Sequence, residues 1–280
     1  MTVSTFIGVD LAWRDSEPDK DANETGVVVL DGSGRVRDAG WTVGVAATSE
    51  WIQDHAGDAG CIVIIDAPLV VDNAVKQRVC EKLVGNRYGR WKVSANSTNI
   101  SSPRNAGQVL LASLERSGWS YDSGLAGPAT AGRTVSECYP YTTLVGVQEL
   151  GYEDVRPVYK RKPPKLRAAE WRTKRADNCD ELVRRLMRLA TADPPLDLHG
   201  HPETRKLLEQ RSPLDDRSYK HREDLLDAVL AAWTGLLWVR KGFDRCQVLG
   251  PADYTAGRPV PTIIAPARPK QRPRRGSVNT

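Results

Sequence analysis

Apolar residues along this chain come in unbroken runs as well as periodic ones, and their order predicts the architecture. Phe6-Ile7-Gly8-Val9 and Cys61-Ile62-Val63-Ile64-Ile65 do not alternate with polar residues, so each reads as a strand covered on both faces. Both runs end on a carboxylate, Asp10 and Asp66. Between them, residues 25–30 predict a second strand, Asp31-Gly32-Ser33-Gly34 carries hairpin turn chemistry, and residues 35–45 predict a third strand. A short helix capped by Thr48 or Ser49 is expected through about His55, before the fourth strand at 61–66. Helical patterns follow over 72–91 and 106–117, then a glycine-rich stretch and a fifth strand over 134–139 that Pro140 ends. Residues 151–214 read as a basic, helical insertion whose clearest helix, 178–190, sets Leu182, Leu186 and Leu189 on one face. A long helix over 222–240 closes the pattern, with 247–249 and 261–265 left for a small hairpin.

This order predicts an α/β domain over residues 1–265, followed by a disordered basic tail, 266–280. A meander followed by right-handed crossovers places the first strand inside the sheet, beside the fourth. Both strand-end carboxylates then open into the crevice beyond the C-terminal ends of the strands, where α/β sheets keep their sites. An aspartate is a poor strand residue and costly to bury unpaired, and two neighbouring carboxylates repel. A hard divalent cation removes that penalty. In the last helix, Asp224 and Asp227 are three residues apart and share a face, which Ala228 and Ala231 keep small enough for close packing. Asp224, near the expected helix start, has an alternative role in offsetting the macrodipole. Asp227, between Leu226 and Ala228, has no such explanation. Glu137 lies inside a strand-like run and completes a candidate catalytic set of Asp10, Asp66, Glu137, Asp224 and Asp227. Carboxylates drawn from several elements are what two-metal phosphoryl transfer requires, with Mg2+ or Mn2+ as the expected ions.

Charge placement adds a partner. The net charge is +5, and the tail alone supplies Arg268, Lys270, Arg272, Arg274 and Arg275 without an acid. Residues 156–175 hold nine Lys or Arg against the single acid Glu170. Such clusters suit a phosphate backbone, so Lys160, Arg161, Lys162 and Lys165 are candidate nucleic-acid contacts, together with Arg104 of the Asn/Ser-rich loop 94–105. Trp13 is placed to stack on a base or pack beside its strand, and His221 is a possible auxiliary that protonates a leaving group or orients a ligand. At 40% apolar and 27% charged residues the chain has the composition of a soluble protein, and no run reaches the ~18–20 apolar residues of a membrane span. The start leads directly into a strand without signal-peptide order, and five scattered cysteines lack any C-x-x-C pair. A cytoplasmic protein with reduced thiols and no zinc ribbon is expected.

The segments GVDLAW (8–13), IIDAPL (64–69), ECYPYTTL (137–144) and HREDLLDAVLAAWTG (221–235) together resemble the signature blocks of the domain-of-unknown-function 429 family. That family is regarded as predicted RNase H-like nucleases, and the similarity covers roughly residues 3–265. The resemblance implies an RNase H-like fold with a five-stranded mixed sheet in the order 3-2-1-4-5. It also implies metal ligation from the first strand, the fourth strand and the last helix, matching Asp10, Asp66 and Asp227. The pair Asp224 and Asp227 is closer to the last helix of Holliday-junction resolvases than to RNase H. The acid that RNase H carries on its first helix has no clear counterpart here, leaving Glu50 or Glu137 to substitute. The expected activity is a metal-dependent nuclease in which Asp10 bridges two ions, Asp66 and Asp227 each complete one, and Glu137 or Asp224 adds a ligand or orients water. Two alternatives use the same fold. One is a non-catalytic nucleic-acid-binding or scaffold protein. The other is an ATP-dependent phosphotransferase, which needs a glycine-containing phosphate loop where this chain has Leu11 and Ala12.

Overall fold

Side-chain alternation along the two central strands decides what each face of the sheet must bury. In the computed structural model, which describes residues 3–17, 19–57, 59–160, 166–251 and 258–271, strand β1 (Val3–Asp10) runs antiparallel to β2 (Glu24–Asp31) and parallel to β4 (Gly60–Ile65). Strand β3 (Val36–Val43) pairs antiparallel with β2, and β6 (Arg133–Glu137) lies parallel to β4 and to β5 (Ser120–Tyr121). The mixed sheet therefore has six strands in the order β3-β2-β1-β4-β6-β5. The expectation of five is corrected by β5, two residues at the edge of the glycine-rich stretch, too short to leave a periodic signal. A separate hairpin joins β7 (Cys246–Leu249) to β8 (Ile263–Pro266).

Ile7, Val9, Cys61, Val63 and Ile65 pack on one face with residues of α1 (Gly44–His55) and α3 (Ala106–Arg116). Phe6, Ile62 and Ile64 pack on the other, against α7 (Asp216–Lys241), with α2 (Val79–Tyr88), α4 (Pro140–Gly146), α5 (Ala168–Leu186) and α6 (Pro202–Glu209) contributing to the same core. The parity that sends Ile64 toward α7 sends Asp66 there too, and Asp10 follows Phe6 and Gly8 in the same way.

Helix α7 lies almost directly on sheet backbone. A Cβ at Gly8 would stand 2.0 Å from the Ala228 carbonyl oxygen and 2.3 Å from the Ala232 nitrogen. A Cβ at Gly26, the register partner of Asp10, would stand 2.3 Å from the Asp224 carbonyl oxygen. Small residues on both surfaces thus set the spacing, and Ala228, Ala231, Ala232 and Gly235 are all buried along the helix.

Several local features differ from the sequence pattern. Helix α1 opens at Gly44, so Thr48 and Ser49 are buried inside it rather than capping it; Asp15, far back in the chain, accepts the Val45 N–H at 2.8 Å instead. Only 79–88 of the expected 72–91 helix forms as α helix, and Pro140 opens α4 as well as ending β6. Helix α5 starts at Ala168, ten residues before the expected start at 178, because its solvated first turns carry few buried side chains. The stripe itself is as expected, with Leu182, Leu186 and Leu189 fully buried. Helix α7 starts at Asp216, capped by Asp215, which accepts the Ser218 N–H at 2.8 Å. Asp224 therefore sits beyond the first two turns, where the macrodipole gives it no role. Beyond β8, Arg268 is buried and donates to the carbonyls of Val145 and Tyr152, so ordered chain continues to Gln271, and 272–280 lie outside the described residues. All five cysteines are buried and none forms a disulfide. Among the described residues no helix is long and apolar enough to cross a membrane.

Replacing Gly8 with alanine is expected to cost about 2–4 kcal/mol in denaturant unfolding, because the backbone of α7 has to move. Gly40→Ala, where a Cβ meets nothing within 4 Å, is expected to stay within about 0.5 kcal/mol. Equal effects at the two positions would show that helix-to-sheet contact does not set this spacing.

Candidate metal centre

The close seating of α7 brings three carboxylates from three elements together. Ligand oxygens of Asp10, Asp66 and Asp227 lie within 4.8 Å of one another. Asp10 is 8% exposed, Asp66 7% and Asp227 0%, so the group sits at the floor of the structure rather than on its surface. Asp10 ends β1, and Asp66 follows β4, its N–H bonded to the Val9 carbonyl at 2.8 Å. Asp227 lies on the face of α7 turned to the sheet. In its charged form Asp10 leaves Oδ2 buried without a hydrogen-bond donor among the described residues, an arrangement that costs free energy unless a cation supplies the missing contact.

Two lysines contribute positive charge. Lys160 forms an ion pair with Asp227 Oδ2, while the Tyr159 hydroxyl donates to Asp227 Oδ1 at 2.6 Å. Lys220 pairs with Asp224 and, at 3.0 Å, with Glu223. Burial is the main cause that pushes Asp10 well above the usual aspartate range, with the charge of Asp227 adding to it and the two lysines opposing it. Burial also raises Asp66 to about 7, against the pull of Lys160, and Asp224 to about 6, against that of Lys220. Burial disfavours the charge on Lys160, but Asp227, Asp10 and Asp66 outweigh it, and the ammonium is held well above its ordinary value.

Glu137 is not drawn into this group. Ile65, paired with it, and Val135, two residues before it, face the α1 and α3 side, so strand parity turns Glu137 away from the Asp66 face. The Arg78 guanidinium grips it in bidentate fashion, at 2.6 and 2.8 Å, and the Leu69 N–H adds a third bond at 3.0 Å. Glu50 is exposed on α1, apart from the acidic group. His221 stacks on Trp41 with ring centroids 3.4 Å apart and bonds Glu24 through Nδ1 at 2.7 Å, which engages it on the rim instead of among the acids.

Above the carboxylates opens a cleft of about 450 Å³. Asp10, Asp66 and Asp224 reach it from below, and Trp13, Arg104, Tyr141 and Arg156 line its walls. The Arg104 guanidinium lies 5.2 Å from the Trp13 ring centroid, and that of Arg156 lies 4.4 Å from Tyr141. Of the basic residues expected to contact nucleic acid, Arg104 is in this cleft and Lys160 is at its floor beside Asp227. Arg161, Lys162 and Lys165 lie outside the described residues. Sequence reasoning missed Tyr159, Lys220 and Glu223. Lys220 and Glu223 had a legible signal, since they stand four and one residues before Asp224 on one helix. Tyr159 had none, because only the folded insertion brings it to Asp227.

Fold and site together define an α/β protein whose central strands and last helix converge on a buried aspartate group able to hold a metal ion. The chain belongs to the family described as Protein of unknown function (DUF429), which matches residues 8–253. It has no significant match among curated proteins or among solved structures.

The raised carboxylates fix the sign of a pH effect. Asp66 at about 7 and Asp224 at about 6 both stand above their ordinary value of 3.8, so between these limits the folded form holds more protons than the unfolded one. Their contribution to stability is full below the ordinary value and is lost as pH rises through 6 to 7. In chelator, the thermal midpoint is expected to fall from pH 5 to pH 8, more gently in Asp10→Asn, where one repelling charge is gone. Added Mg2+ or Mn2+ should reverse the fall at pH 8. A midpoint that rises over this range without metal would contradict the assignment.

Proposed function

We propose that this protein is a metal-dependent phosphodiesterase acting on nucleic acid. The observation that carries the reading is the donor-less, buried Oδ2 of Asp10 beside Asp66 and Asp227, at the floor of a cleft lined with arginines and aromatic rings. An all-carboxylate donor set suits Mg2+ or Mn2+. Once bound, such an ion supplies a water acidic enough to attack at neutral pH and positive charge for a phosphoryl oxygen. The antiparallel order β3-β2-β1 followed by parallel β4, with acids on β1, after β4 and on α7, supports an RNase H-like arrangement in which β5 is an added edge strand.

The chain's own groups divide the remaining work. Asp10 and Asp66 would hold the cation, with Asp227 beside them adding negative charge. Asp224, kept on the cleft side by Lys220, is placed to orient a nucleophilic water or accept its proton. Arg156 is anchored through Nε to the Lys92 carbonyl at 2.9 Å and holds its guanidinium carbon 4.4 Å from the Tyr141 ring centroid. The Arg104 side chain makes no hydrogen bond among the described residues, which leaves its guanidinium donors for phosphate oxygens. Trp13 beside it offers a face for a base. The phosphotransferase alternative is weakened by the backbone after β1, where the Ala12 N–H is already bonded to Thr25 Oγ1 at 3.0 Å and is not free to cradle a phosphate.

Labelled single strands, duplexes, RNA–DNA hybrids and four-way junctions incubated with Mg2+ or Mn2+ test the proposal. Cleavage of at least one class is expected, with Asp10→Asn reducing the rate by about a thousandfold or more, several kcal/mol of transition-state stabilisation. That variant should melt no lower than wild type in chelator. Unchanged cleavage by Asp10→Asn would remove the proposal, and binding without turnover would favour the non-catalytic binding protein. Arg104→Ala is expected to weaken oligonucleotide binding about tenfold in an anisotropy titration, the scale of one charge-assisted hydrogen bond.

A further inference from the structure

The insertion brings a positive charge of the chain's own into the acidic centre. Resting on the metal-centre reading above, we propose that Lys160 fills the position of a second cation, so that the centre takes one divalent ion where two would be expected from the carboxylates alone. Both oxygens of Asp227 are engaged from one short segment, Oδ1 by the Tyr159 hydroxyl and Oδ2 by the Lys160 ammonium. That segment is fixed in place. The Tyr219 hydroxyl donates to the Tyr159 carbonyl at 2.6 Å, Asn178 Nδ2 to the Val158 carbonyl at 2.8 Å, and the Arg156 N–H to the Trp91 carbonyl at 3.2 Å. Lys160 is not a surface lysine folded inward by chance: its side chain is 18% exposed, and Nζ lies 5.3 and 5.7 Å from the ring centroids of Tyr141 and Tyr159.

Electrostatics from the neighbouring groups agree with this placement. The ammonium interacts favourably with Asp227, Asp10 and Asp66 together, the same three residues that form the metal-binding group. On the other side, Lys220 engages Asp224 and Glu223 and so withdraws them from a second ion. What is left for a divalent cation is the unpartnered Oδ2 of Asp10 and the carboxylate of Asp66, which forms no salt bridge among the described residues. A second ion would have to expel a buried ammonium from Asp227. An ammonium is also unlike a metal in use. It neutralises charge and donates hydrogen bonds, but it activates no water, so the arrangement assigns water activation to a single ion.

Calorimetric titration of the substrate-free protein with Mn2+ tests this without any activity measurement. One ion per chain is expected for wild type and for Lys160→Arg, which keeps the charge, and two for Lys160→Met, which vacates the position. Thermal unfolding in chelator checks that each variant is folded, and the wild-type count is decisive even if Lys160→Met is not. Two ions in wild type would overturn the proposal, as would a single ion in folded Lys160→Met whatever its affinity. No binding in any of the three would remove the metal-centre reading and this inference with it. Two ions in wild type would leave the metal-centre reading standing.

Discussion

Everything at this site depends on how closely one helix can lie on a sheet. Helix α7 meets β1 and β2 where both strands present glycine, through Ala228 and Ala232 at Gly8 and through the Asp224 backbone at Gly26. The register pairs Gly26 with Asp10, so the gap that admits the Asp224 backbone is also the one that sets Asp10 beside the helix. A methyl group at either glycine would hold the helix off by more than the tolerance of a metal-ligand distance. The same contact buries the carboxylates, because a helix seated on backbone leaves no solvent layer between them. Charge, burial and geometry at the centre are thus consequences of a single steric fact.

Much of this was legible in the chain. Strand parity is a rigid rule, so two apolar runs each ending on aspartate were enough to place Asp10 and Asp66 on one face once the runs were read as parallel neighbours. Asp227, isolated in an apolar helix, was legible for a related reason: nothing local explains a carboxylate there. Glu137 shows the limit of the same rule. It was read as another acid on a strand, but its parity depends on register with β4, which no sequence pattern states. The capping residues failed for a different reason. Thr48 and Ser49 have the right chemistry for an N-cap, yet the helix N-terminus is served by Asp15 from a preceding loop, and contacts of that kind have no fixed spacing.

The insertion is conspicuous in the sequence for its charge and in the fold for where it is anchored. A stretch with nine basic residues against one acid invites a description as a phosphate-binding arm. In the fold, the described part of it delivers Tyr159 and Lys160 to Asp227 and sets Arg156 into the cleft wall. Composition reports how much charge a segment holds, whereas the placement of that charge depends on where the chain is pinned, and two of the pins are the Asn178 amide and the Tyr219 hydroxyl, polar groups of the neighbouring helices.

Two acidic clusters in this molecule differ in how fully their charge is met. Around Arg78 every carboxylate oxygen has a donor: both of Glu137 and both of Glu81 are bonded to the guanidinium, to the Arg78 N–H or to the N–H groups of Leu69 and Thr98. That is how a buried acid looks when it serves packing, with desolvation offset by a full set of charge-assisted bonds. Around Asp10 the pattern is the reverse. Among the described residues, Asp10, Asp66, Asp224, Asp227 and Glu223 face two ammonium groups, the Oδ2 atoms of Asp10 and Asp227 accept no hydrogen bond, and burial drives the protonation of several members upward. A chain that can satisfy a buried glutamate pair so completely has no stability-based reason to leave five acids under-compensated a few residues away. Protonation or a cation entering from the cleft, which opens directly above it, would each relieve the deficit.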